Sequence, residues 1–104
     1  MFARTSTWSG SAEALDKWAE HAALQVASFV SGLPGNAGGV FLIDREGGSA
    51  LTLTLWHSEE AAEATDKFAE QSRASTVAAT GVELVSRGRY EVAAQVDPAG
   101  ATEG

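Results

Sequence analysis

The sequence predicts an α+β fold of the ferredoxin-like kind, βαββαβ, with a four-stranded antiparallel sheet and two helices on one face. Three observations predict it. First, the pentapeptide Asp16-Lys17-Trp18-Ala19-Glu20 returns as Asp66-Lys67-Phe68-Ala69-Glu70, about 50 residues further on. Second, each copy falls on a helical pattern that follows a strand ending in Trp, Trp8 or Trp56. Third, two strand-like runs between the copies flank a turn signal at Glu46-Gly47-Gly48. A strand–helix–strand unit used twice gives the split βαβ arrangement.

Taken in order, Phe2–Trp8 reads as a strand closed by Ser9-Gly10-Ser11. The Ser11 hydroxyl suits a helix cap, and Glu13 is favourable in the first turn, where free amides face outward. The apolar positions Leu15, Trp18, Ala22, Val26, Phe29 and Leu33 step by three and four, so they share one helix face. Gly32-Leu33-Pro34-Gly35 ends that helix. Gly39–Arg45 is the second strand, apolar on both faces through Val40, Phe41, Leu42 and Ile43. In the third strand, Ala50–Trp56, leucines 51, 53 and 55 alternate with Thr52, Thr54 and Trp56.

Ser58 caps a second helix with Glu59 and Glu60 in its first turn and an apolar side of Ala61, Ala64, Phe68 and Val77. The last strand runs from Val82 to Val96, with Gly88 as a bulge. Residues 1–96 therefore form a single domain, and Asp97–Gly104, which has no pattern, is expected to be a flexible C-terminal tail.

Composition narrows the function classes. The chain has 104 residues and a net charge of -7, from 7 Lys+Arg against 14 Asp+Glu. Such a balance repels phosphate backbones and anionic lipid, so no nucleic acid and no membrane is expected as a partner. There is no cysteine, which removes disulfides, thiolate metal sites and thiol nucleophiles. Met1–Thr7 lacks the apolar run of a signal peptide, and a cytoplasmic address is the default expectation.

A sheet with helices on one face needs cover on the other. The second strand is apolar on both sides, and Thr52, Thr54 and Trp56 are unusually β-prone for a water-facing surface. Two such sheets packed face to face would bury it, so a homodimer is expected. The run Leu51-Thr52-Leu53-Thr54-Leu55-Trp56-His57-Ser58-Glu59-Glu60-Ala61 then resembles the hallmark segment of the antibiotic-biosynthesis-monooxygenase-like family. In that family an apolar strand ends in Trp, a loop residue and Ser, before acidic residues and Ala open the second helix. Arg4, Trp8 and Gly10 ahead of an amphipathic helix fit the same pattern.

The resemblance implies a dimeric α/β barrel whose cavity lies between sheet and helices. Its characterised enzymes oxidise phenolic polyketides or quinols with dioxygen and no cofactor, or degrade haem. The sequence departs from both groups. Quinone-forming members place an Asn where this chain has Thr52. Haem-degrading members need a His and a Trp on the second helix and an Asn on the first strand, and this chain has none of the three. The expected function is a cofactor-independent monooxygenase acting on a small aromatic or polyketide-like substrate. The alternative is a non-catalytic dimeric module binding a small apolar ligand.

Substrate-pocket candidates are Thr52, Trp56, Tyr90, Arg4 and His57. Trp56 offers a flat face for stacking as well as core packing. Thr52 can hydrogen-bond, though with a single donor. Arg73, Arg87 and Arg89 are further polar groups; the run Arg87-Gly88-Arg89-Tyr90 reads most simply as a solvated strand edge, the alternative being a guanidinium or phenol aimed into the cavity. His57 in the strand–helix connection and His21 beside Glu20 read most simply as surface imidazoles. His57-Ser58-Glu59-Glu60 has no convincing metal-ligand spacing, so no metal and no cofactor is expected.

Overall fold

The structure is a computed structural model that describes residues 1–96, so the tail expected at 97–104 lies outside the described residues. Its elements are β1 (Phe2–Ser9), α1 (Ala12–His21), a π-helical turn (Ala22–Val26), α2 (Ala27–Ser31), β2 (Asn36–Asp44), β3 (Ser49–Trp56), α3 (Glu59–Ala64), α4 (Asp66–Thr80) and β4 (Glu83–Glu91). The four strands form one antiparallel sheet in the order β2-β3-β1-β4, with the helices on one face. This is the βαββαβ arrangement expected from the repeat.

Local chemistry accounts for the boundaries. Ser11 and Ser58 both cap as read, each hydroxyl accepting from the backbone amide three residues on, Ala14 and Ala61. Gly81 ends α4 in the left-handed conformation (φ 81°), which suits a residue without Cβ. The Asn36–Gly38 stretch belongs to the sheet. It opens β2, with a register shift where the Asn36 side chain bridges to the Leu55 carbonyl. In β4 the bulge lies opposite Thr7 and Trp8, between Leu84 and Ser86, and Gly88 pairs regularly with Thr5.

The second helix is broken at Thr65. The Ala62 carbonyl, which would normally take an amide four residues on, accepts instead from the Thr65 amide (3.2 Å), the Thr65 hydroxyl (2.9 Å) and the Arg4 guanidinium. With that acceptor committed, the helix restarts at Asp66.

The pentapeptide repeat places its copies in different settings. Trp18 is 3 % exposed in the core, whereas Phe68 is 44 % exposed. The topology repeats, but the two aromatic residues do not do the same work.

The core occupies one end of the helix-covered face. Trp8, Leu15, Trp18, Ala50 and Val82 pack there, with Phe41 and Ile43 against them. Trp18 meets Phe41 edge to face, ring centroids 6.3 Å apart. Pairing then fixes which side each residue takes. Ala50 shares the core with Trp8, so Thr52, Thr54 and Trp56 face the helices, and the leucines of β3 face away. The sequence expectation had the Thr–Trp side as the uncovered one, and the structure reverses it. The uncovered face carries Leu51, Leu53 and Leu55, flanked by Val40 and Leu42, each about half exposed.

Candidate functional site

Beyond the core, sheet and helices separate into a cavity. Its floor is Arg4, Ser6 and Trp8 of β1 and Thr52, Thr54 and Trp56 of β3. Its roof is Val26, Phe29 and Val30 on one side and Phe68, Ala69, Ser72, Arg73 and Thr76 of α4 on the other. The pocket is half-open to solvent, with an inner space of about 60 Å³. Phe29 and Phe68 meet edge to face at its rim, centroids 6.1 Å apart and both partly exposed.

Hydroxyls fix the two tryptophans of the floor. The Trp8 indole N–H donates to the Thr52 hydroxyl (3.0 Å) and the Trp56 indole N–H to the Thr54 hydroxyl (3.0 Å). Buried indoles rarely leave this donor unpaired, so each Thr sets a ring orientation. Because the Thr52 oxygen accepts from Trp8, its own O–H stays free to donate into the cavity. Ser6, Ser72 and Thr76 add further hydroxyls to the lining.

Arg4 closes the far end. Its guanidinium donates to Thr65 Oγ1 (3.1 Å), the Ala62 carbonyl and Asp66 Oδ1 (2.7 Å), and lies 5.2 Å from the Trp56 ring centre. Burial holds Arg4 below the ordinary arginine range, opposed by the adjacent Asp66. Asp66 is shared, since Arg89 also donates to both its oxygens at 2.7 and 2.9 Å. Burial pushes the Asp66 carboxyl up, but Arg89 and Arg4 outweigh it and leave the group below the usual carboxylate range.

Of the five candidates read from the sequence, the structure brings three together. Thr52, Trp56 (1 % exposed) and Arg4 line the cavity. Tyr90 does not. It pairs with Ala3 on the uncovered face and is 60 % exposed, so the phenol points away from the helices. His57 is exposed in the β3–α3 connection and is not a lining residue. Arg87 and Arg89 do not line the cavity; they lie with Arg4 and Arg73 in an adjoining open groove, where Arg87 is exposed.

Sequence reasoning missed the hydroxyl roof. The apolar side assigned to the second helix was Ala61, Ala64, Phe68 and Val77, yet Ala64, Phe68 and Val77 are exposed. The buried side is Ala62, Thr65, Thr76 and Thr80, with Ala69 and Ser72 between. A signal was present: Thr65, Ala69, Ser72, Thr76 and Thr80 step by three and four, a stripe of small residues at helical spacing.

The fold is shared with solved antibiotic-biosynthesis-monooxygenase-like structures. A putative antibiotic biosynthesis monooxygenase from Deinococcus radiodurans superposes with a TM-score of 0.69 at 18 % identity, over 94 % of this chain and 98 % of that one. The monooxygenase ActVA-Orf6 of Streptomyces coelicolor, in complex with nanaomycin D, gives 0.70 at 16 % identity, over 94 % and 92 %. The haem degrader MhuD of Mycobacterium tuberculosis, with two haems in its active site, gives 0.64 at 24 % identity, over 93 % and 100 %. At these identities the likeness is one of fold. No protein-family model and no curated protein matches the sequence.

The lining residues do not fit haem. None of them is His, Cys, Tyr or Met, the side chains that ligate haem iron. Nor does any group of three or more His, Asp or Glu among the described residues suit a metal ion. No described helix is long and apolar enough to cross a membrane.

Proposed function

We propose that this chain is a cofactor-independent monooxygenase acting on a small aromatic or polyketide-like substrate held in the sheet–helix cavity. One observation carries the reading. Two indole rings, each held by a Thr hydroxyl, form the floor of a half-open pocket whose lining adds the hydroxyls of Ser6, Ser72 and Thr76. Such a space stacks a flat ring and offers O–H donors to an oxyanion on it. The nanaomycin D bound to ActVA-Orf6, and the description of the similarly folded SnoaB as a cofactor-independent oxygenase, support the same chemistry here.

The reaction balances without an added reductant. A ring methylene that ionises and meets dioxygen becomes a carbonyl, and the second oxygen atom leaves as water with the two hydrogens. The substrate must be acidic enough to ionise readily, because no carboxylate or imidazole lines the cavity among the described residues. The chain's own contribution is to hold the ring plane against Trp8 and Trp56 and to stabilise the anion through Thr52, Ser72 and Thr76.

That missing base is what favours a second reading, a non-catalytic module binding a small apolar ligand. In either case the working unit is a homodimer, because the uncovered leucine face is the surface a second sheet would bury. An oxygen electrode decides between the two readings. With a panel of anthrones, naphthols and hydroquinones, the enzyme reading expects uptake above the no-protein blank without added metal, flavin or haem. Binding of these compounds without uptake would leave the module.

A further inference from the structure

Next to the cavity lies an open groove of about 390 Å³ lined by Arg4, Arg73, Arg87 and Arg89 with Asp66 and Glu70. Its charge is out of keeping with the molecule. The chain carries 7 basic residues against 14 acidic ones, yet four of the seven meet here with two carboxylates. Two of these arginines are already satisfied, since Arg4 and Arg89 both bind Asp66. Arg87 lies 4.0 Å from Glu70, the outer limit of an ion pair.

Arg73 has no ion pair and no hydrogen bond among the described residues, although it is half-buried. It lines the groove and the cavity alike, and so forms the wall between them. Burial, then the like charges of Arg87 and Arg4, hold it below the ordinary arginine range, opposed by Glu70 and Asp66. A guanidinium cannot escape such crowding by losing its proton, and an anion brought to it relieves the strain.

We propose that the ligand of the cavity carries a carboxylate, which docks in the groove on Arg73 and Arg87 while the aromatic body lies against Trp8 and Trp56. This inference rests on the cavity being the ligand site, and it adds the substrate class: aromatic acids rather than neutral phenols. Paired guanidinium forks match a carboxylate's two oxygens, and an acidic surface elsewhere leaves this groove as the place an anion is drawn to.

The test compares anthracene-2-carboxylate with its methyl ester by calorimetric titration of the purified protein. The acid should bind about tenfold or more tightly at low salt, and the ratio should shrink as salt is added. In Arg73→Gln the ratio should fall towards one, with Arg87→Gln giving a partial loss and circular dichroism confirming each fold. Equal binding of acid and ester, or a ratio unmoved in both variants, overturns the carboxylate subsite and leaves the cavity standing. Failure of both compounds to bind overturns the cavity and the subsite together.

Discussion

At the scale of single residues, Thr52 is the most informative position. The sequence marked it as a poor substitute for an amide. The structure shows the hydroxyl accepting from the Trp8 indole N–H and so orienting its ring. Replacing it with Val therefore does two things. It removes a donor from the cavity, and it leaves the indole N–H of a residue only 3 % exposed without a partner. The second effect alone costs about 1–3 kcal/mol. Thr52→Val should lower the unfolding free energy by that amount in urea, while Thr52→Ser, which keeps the oxygen, should be close to wild type. Equal stability for both variants would mean that the Trp8 bond is not formed. Trp56, Thr52 and Arg4 were legible because strand alternation and the Trp-x-Ser-Glu-Glu-Ala run pick them out. Tyr90 and His57 lie outside the cavity, since residue type suggests chemistry but not direction.

At the scale of elements, the strands were readable and their orientation was not. Alternation in β3 separates leucines from threonines, but it does not say which set meets the helices. The usual preference for leucine inside points the wrong way here, because the cavity requires hydroxyls and the leucines are left for another surface. The split of the second helix was equally hidden, since it depends on Arg4 arriving from β1 to take the Ala62 carbonyl. Nor does the apolar stripe of the first helix reveal the π turn at Ala22–Val26. Steps of three and four tolerate one inserted residue.

The β1–α4–β4 junction makes its own prediction through Asp66. Its pKa is depressed in the folded state, so its contribution to stability is present above the unfolded value near 3.8. That contribution is lost as pH falls through the folded pKa. Urea midpoints for wild type should therefore drop more steeply than those of Asp66→Asn below about pH 4. Parallel acid limbs would show that the two arginines do not hold the carboxylate.

At the scale of the whole molecule, the two sheet faces divide the work. One face carries the core at one end and the cavity at the other. The opposite face is uncovered and apolar, with Val40 and Leu42 on β2 next to Leu51, Leu53 and Leu55 on β3. A four-stranded sheet of this kind needs a second layer. Light scattering after size exclusion should give the mass of a dimer at micromolar concentration, and Leu53→Lys, which sets a charge between Thr5 and Val40 in the sheet, should give a folded monomer. A monomeric wild type would sink the barrel architecture.

In the proposed function the chemistry happens in the cavity. Its inner space is narrow, so one larger side chain can obstruct it. Ser72 sits on its roof, on a helix that accepts leucine readily. The most direct measurement is oxygen uptake with the best phenolic or anthrone substrate, by wild type and by Ser72→Leu matched in mass and circular dichroism. Uptake above the blank by wild type, abolished in the filled variant with the melting temperature unchanged or higher, is the predicted result. Uptake that survives in a folded Ser72→Leu protein would place the reaction outside the cavity and contradict the account.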